Sequence, residues 1–190
     1  MLPEQIIFIS IPVTLVAYFF YFKNIFYGQT KPNLVSWFIW MLAPFIGVFF
    51  QLRAGAGFSV LPVFLAGLGP LLVMIVSLWN KNAYWKISKL DLTCGLLALM
   101  SLIFYVLTHN LGISIFFAIL SDGFAFIPTF IKSWKFPESE TSGIYFASIV
   151  NNIIALLIIR NWLFTIYSFG IYFIVSNIIE VSILYRKKIF

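Results

Sequence analysis

Charge is what this chain has least of: 9% of its 190 residues are Asp, Glu, Lys or Arg, against ~25% in a typical soluble domain. A surface so poor in charge cannot be wetted, which excludes a soluble globular domain, a disordered chain and a secreted disulfide scaffold. Cysteine is scarcer still. The single Cys94 leaves no partner for an intramolecular disulfide and no multi-cysteine metal site. The one histidine, His109, lies in the short segment Thr108-His109-Asn110, so neither a His-based metal site nor a buried Ser/His pair is expected. Among six acids, Asp122 stands in the middle of an apolar run with no second carboxyl at comparable depth, and a divalent-metal site needs several. The expectation is a protein that is not an enzyme and that holds no cofactor and no metal.

Apolar and aromatic residues are what is present. Hydrophobic residues make up 62% of the chain, with 23 Phe, 9 Tyr and 6 Trp, and the mean hydropathy is +1.03. Runs separated by polar or Gly/Pro-marked breaks fall at 5–22, 34–50, 58–79, 91–108, 112–131, 143–159 and 163–185. Each approaches the roughly 20 residues needed to cross a ~30 Å hydrocarbon core as a helix. Barrel strands would alternate apolar and polar residues over ~10 positions, whereas Ile153-Ile154-Ala155-Leu156-Leu157-Ile158-Ile159 is apolar on every side. The predicted fold class is therefore an all-α integral membrane protein with seven transmembrane helices. Met1-Leu2-Pro3-Glu4 carries no basic stretch or small-residue cleavage site, so the first run is read as a retained span.

Basic residues set the expected orientation. Lys23, Lys31, Lys81, Lys86, Lys89, Lys132, Lys135, Arg186, Lys187 and Lys188 fall on one side of seven alternating spans, and only Arg53 and Arg160 on the other. The positive-inside rule puts the ten in the cytoplasm, with the N-terminus outside and the C-terminus inside a plasma (inner) membrane. Trp79, Tyr84, Trp85, Trp134 and Trp162 stand near span ends, where aromatic rings anchor at the interface.

The first and fifth spans contain Pro12 and Pro128, and each leads into a basic loop with a second proline, Pro32 or Pro137. Eight residues beyond that proline comes an aromatic, Trp40 or Tyr145. The pattern predicts two parallel three-helix repeats, 1–79 and 111–190, joined by a linker helix with its flanking loops, 80–110. Repeats of this kind recur in transporters, with the solute near the midplane between them. This three-one-three arrangement with proline-bearing first helices resembles the SWEET, PQ-loop and related transporter superfamily, and functionally the nicotinamide riboside transporters and lysosomal amino-acid exporters. Ile11-Pro12-Val13 and Ile127-Pro128-Thr129 stand where that superfamily has its Pro-Gln pair, which is absent. The stretch Thr30-Lys31-Pro32-Asn33 through Trp40 is also similar to that of small bacterial membrane proteins.

Polar side chains inside spans are costly and are the first candidates for function. Asp122 is expected to face the bundle interior, as a proton, cation or solute site or as a carboxyl paired with a neighbouring helix. Asn151 and Asn152 lie mid-span in the sixth run, about 100° apart, so one is expected at a central cavity and the other between helices. Asn177 corresponds by span to a pocket asparagine, which the resemblance implies. Trp40 and Tyr145 are expected to face the solute, and Trp37 to sit in the interfacial belt. Glu180 is expected to pair with the rim at Arg186 and Lys187 in a structural or gating role. Pro12 and Pro128, with Pro44, Pro62, Pro70, Gly67 and Gly69, are candidate bending points. The loop 132–140 reads as a solvated turn, an intracellular gate or a docking loop. Asp122-Gly123 also resembles the opening of lipid-head-group transferase motifs, but lacks their further carboxylates.

These features predict a secondary transporter or facilitator of a small polar solute (a sugar, amino acid or vitamin precursor) by alternating access. The alternative is a non-transporting receptor or assembly factor on the same fold. Its partners are the solute and the lipid bilayer, with a possible homo-oligomer and no nucleic acid. A reporter fused after Phe190 should be active only in the cytoplasm; activity confined to the exterior would reverse the orientation.

Overall fold

The computed structural model describes residues 3–80, 85–108 and 110–189, with the side chains of Leu111 and residues 187–189 outside the description. The expectations for Lys81, Tyr84 and His109, and for the side chains of Lys187 and Lys188, fall outside the described residues. Those residues form seven α-helices and three short 3-10 segments. The helices are α1 Ser10–Phe26, α2 Leu34–Arg53, α3 Leu61–Trp79, α4 Lys89–Leu107, α5 Leu111–Lys135, α6 Gly143–Ile158 and α7 Phe164–Ile189. Six are long and apolar enough to cross a membrane, α1 when counted with the 3-10 segment before it, whereas α6 has only 16 residues. Their outward faces are rich in large apolar side chains, such as Phe19, Leu96, Leu107 and Leu157, as a multi-pass membrane protein requires.

Local signals explain where the helices begin. Asn33 caps α2 by accepting from the Val35 N–H at 3.2 Å, and Asn110 caps α5 by accepting from Gly112 and Ile113. Ser88 and Asp91 form a reciprocal capping box at the start of α4. Pro12 is not a mid-span break: it lies in the first turn of α1 with its side chain exposed. A proline there offers no N–H to the carbonyl four residues back and its ring crowds that carbonyl. The preceding segment Glu4–Ile9 is accordingly 3-10 rather than α. Pro62 likewise sits in the first turn of α3, whereas Pro44, Pro70 and Pro128 are inside helices.

The α1–α2, α3–α4 and α5–α6 connections meet at one end, hereafter the basic end. There the Lys31 N–H donates to the Ser139 carbonyl at 3.0 Å and the Trp85 N–H to the Pro32 carbonyl at 2.9 Å. At the opposite end Glu4 pairs with Arg160 at 2.8 Å, and Ile7 packs with Ala155 and Ile158. Successive helices therefore alternate in direction. α3 packs between α1 and α2, and α7 between α5 and α6; α1 also packs on α6, α2 on α5, and α4 on α2 and α5. Trp79, Trp134 and Trp162 are exposed near the ends of helices, as expected for interfacial anchors. Trp37 departs from that expectation. It is 2% exposed, with its ring 5.2 Å from Tyr21 and 5.3 Å from Trp40, because the first turn of α2 is covered by α1 rather than by lipid.

The closest approach inside the bundle is at Gly69, where a Cβ would stand 1.8 Å from the Tyr18 hydroxyl. Gly69→Ala must push that ring aside, with a cost of about 1–3 kcal/mol as for other overpacked cores. The substitution should lower the thermal midpoint of the purified protein in detergent, read by tryptophan fluorescence. Gly143→Ala, where an added Cβ meets nothing within 4 Å, should leave the midpoint unchanged.

Candidate functional site

A partly open cavity lies inside the bundle. It is lined by α1, α2, α3, α5, α6 and α7, and by no residue of α4. It extends from Pro62, in the first turn of α3, to Trp37, in the first turn of α2. All six residues proposed from sequence as solute contacts line it: Asp122, Asn151, Asn152, Asn177, Trp40 and Tyr145. Both Asn151 and Asn152 do so, not one of the two.

The polar side chains do not form one direct cluster. Asp122 is fully buried and its Oδ2 accepts from the Tyr172 hydroxyl at 2.8 Å, while Oδ1 has no partner among the described residues. Asn151 Nδ2 donates to Thr14 Oγ1 at 2.7 Å, linking α6 to α1. Asn152 Nδ2 donates to the Ser148 carbonyl at 2.8 Å, and Asn177 Nδ2 to the Phe173 carbonyl at 2.6 Å and to Ser148 Oγ at 3.2 Å. The arrangement is thus Asp122–Tyr172 on one side and an asparagine–serine group on the other. Trp40 packs at a tilt against Phe126 with ring centroids 4.5 Å apart and completes an aromatic wall with Trp37.

The candidate gating residues are placed differently. Pro12, Pro128 and Glu180 do not line the cavity. Glu180 is fully buried, and its Oε1 accepts from Ser133 Oγ at 2.5 Å instead of pairing with the basic rim. The Arg186 guanidinium turns away from it, donating to the carbonyls of Ser133, Trp134 and Ile183 and stacking 4.3 Å over the Trp134 ring. Arg186 lies a turn and a half beyond Glu180 on α7. The Ser133 and Trp134 carbonyls in the last turn of α5 are acceptors that a helix terminus leaves unpaired.

The loop 132–140 is a solvated turn only in part: Trp134, Lys135, Phe136 and Glu138 are exposed, whereas its two ends are buried. Lys132 and Glu140 form a buried ion pair at 2.5 Å with each side chain 1% exposed. Glu140 Oε1 also accepts from the Tyr21 hydroxyl at 2.7 Å, and Lys132 Nζ also donates to the Lys31 carbonyl at 2.8 Å. Tyr21 in turn touches Trp37 of the cavity wall, so the ion pair and the cavity are in mechanical contact. Asn33 and Asp91 close the same end, with Asn33 Nδ2 donating to Asp91 Oδ1 at 2.6 Å. Sequence reasoning missed Tyr21, Tyr172, Asp91 and the pairing of Lys132 with Glu140. For the two tyrosines a signal existed, because a hydroxyl deep in an apolar run needs a partner.

Removing one member of a buried ion pair leaves an uncompensated charge and typically costs about 3–5 kcal/mol, whereas replacing both together can be nearly neutral. Glu140→Gln and Lys132→Met should each lower the thermal midpoint strongly. The double substitution should fall well short of the sum, and additive losses would mean that the two groups do not depend on each other.

No family model, curated protein or solved structure matched the chain, so the functional reading rests on the sequence and on the geometry described above.

Proposed function

We propose that the protein is a secondary transporter or facilitator that moves a small polar solute across a cell's plasma membrane by alternating access. The N-terminal end faces outward in this reading and the basic end faces the cytoplasm. The observation that carries it is the cavity shared by three helices from each half of the chain and by none from α4.

The packing supports two parallel three-helix repeats of the SWEET or PQ-loop type. Exchanging α1, α2 and α3 for α5, α6 and α7 maps the observed neighbours onto one another: α1–α3 onto α5–α7, α2–α3 onto α6–α7, and α1–α6 onto α5–α2. α1 and α5 run in the same direction, as parallel repeats require. The linker role of α4 fits its position outside the cavity. In this reading the solute contacts Asp122, Asn151, Asn152, Asn177, Trp40 and Tyr145, and the Lys132–Glu140–Tyr21 group holds the cytoplasmic side shut. Opening that side requires the α5–α6 connection to part from the α1–α2 connection, which the Lys31 and Ser139 backbone bond and the Lys132 to Lys31 bond now join. A receptor or assembly factor would be better served by a dry, packed centre.

The natural cysteine, Cys94, is buried on α4, which gives a clean background for a labelling test. In a Cys94→Ser chain carrying Ser148→Cys, a membrane-impermeant thiol reagent should reach residue 148 from either face of sealed, oriented proteoliposomes. Labelling from one face only would favour the receptor reading. Failure to label from both faces would show a packed centre and sink the transport reading.

A further inference from the structure

The unsatisfied groups of the cavity carry information about what fills it. Among the lining residues the amide nitrogens of Asn151, Asn152 and Asn177 already donate to Thr14, Ser148 and Phe173. Two of those three amides donate to backbone carbonyls, which can only accept, so their orientation is set by hydrogen-bond chemistry. The oxygens are not committed. Asp122 Oδ1, Asn151 Oδ1 and Asn152 Oδ1 are buried and have no donor among the described residues. Against these three acceptors stand the Trp40 indole N–H and the Tyr145 hydroxyl, which can donate or accept.

The charge and the walls point the same way. Asp122 is the one carboxyl among the lining residues, and no lysine, arginine or histidine is among them. Lys132, the nearest buried cation in the basic end, is consumed by Glu140 and the Lys31 carbonyl. Arg53 is exposed and stacks on Phe49, 5.0 Å from its ring, and Arg160 is held by Glu4. The remaining wall is aromatic, with Trp37, Trp40 and Phe126 presenting ring surface. Tryptophan faces attract ammonium and guanidinium groups.

We infer that the cavity takes a small organic cation bearing N–H donors, such as a primary ammonium or an amidinium, with its charge at Asp122, its N–H groups on the asparagine oxygens and its body against Trp37 and Trp40. The inference rests on the reading of this cavity as the solute site and names the class of solute. A carboxylate or phosphate finds no lysine, arginine or histidine here and meets a carboxyl. A neutral sugar brings no charge to the buried Asp122 carboxyl. An inorganic cation leaves the aromatic wall unused.

Three probes of one shape and different charge test it: benzamidine, benzyl alcohol and benzoate, titrated at neutral pH against the wild-type protein in lipid nanodiscs with tryptophan fluorescence as the readout. Benzamidine should bind saturably and at least tenfold more tightly than benzyl alcohol, and benzoate should show no saturable binding. Asp122→Asn should weaken benzamidine at least tenfold and leave benzyl alcohol unchanged. Equal binding of benzamidine and benzyl alcohol, or binding of benzoate as tight as benzamidine, overturns the assignment without recourse to any variant. Displacement of benzamidine by millimolar salt that differs between NaCl and KCl at equal ionic strength would assign the site to an inorganic cation and also overturn it. The labelling experiment at residue 148 is independent of these titrations. Two-sided labelling with charge-blind binding keeps transport and discards the cation, and charge-selective binding with one-sided labelling does the reverse.

Discussion

Glu140 holds the basic end of the bundle together. Its two oxygens accept from Tyr21 of α1 and from Lys132 of α5, and it lies in the connection that leads into α6. Lys132 then reaches the Lys31 carbonyl in the α1–α2 connection. One carboxylate therefore joins three helices and two connections that are up to 119 residues apart in sequence. Desolvating two charges is costly unless both are fully satisfied, and here each has at least two partners. The geometry of that end is constrained by this need: moving any one of these segments strands a charge in a place water does not reach.

The other buried acids also reach across the chain, although Asp122 Oδ1 and Glu180 Oε2 have no partner among the described residues. Asp91, Asp122, Glu140 and Glu180 are each at most 9% exposed, which leaves only Glu4 and Glu138 of the six carboxyls in the chain toward the surroundings. Asp91 accepts from Asn33, Asp122 from Tyr172 and Glu180 from Ser133, in each case from a different segment of the chain. With lipid-like apolar residues on the outside, association of the helices cannot draw on a hydrophobic difference between core and exterior. Close packing and interhelical hydrogen bonds have to specify which helix meets which. Charge is scarce in this protein because it is used at junctions.

Much of the helical framework was legible in the sequence. The run 34–50 became Leu34–Arg53 and the run 143–159 became Gly143–Ile158, because uninterrupted apolarity in a bilayer permits only helices. The cavity residues were legible for a related reason: Asp122, Asn151, Asn152 and Asn177 stand out as polar groups where polarity is expensive. What could not be read was pairing. The 50 residues between Asp122 and Tyr172 leave no periodic trace, since a long-range hydrogen bond depends on which helices are neighbours. Glu180 misled because Arg186 is close in sequence, whereas in space the Ser133 hydroxyl is the nearer partner. The ends of the loop 132–140 misled through composition: mixed charge reads as solvation, and only the tertiary structure shows Lys132 and Glu140 neutralising each other out of water.

The brevity of α6 has a consequence for the membrane itself. Sixteen residues rise only about 24 Å, several ångströms short of a ~30 Å hydrocarbon core. Phe146, Val150, Ile153 and Leu157 form an exposed apolar stripe along it, so lipid has to meet this helix at its own length. Hydrophobic mismatch of this kind is relieved by thinning the adjacent bilayer, at fractions of a kcal/mol per ångström. α6 also carries Asn151 and Asn152 and packs on both α1 and α7. Any rearrangement that tilts it changes the thickness it presents, which couples the state of the cavity to the acyl-chain length of the surrounding lipids.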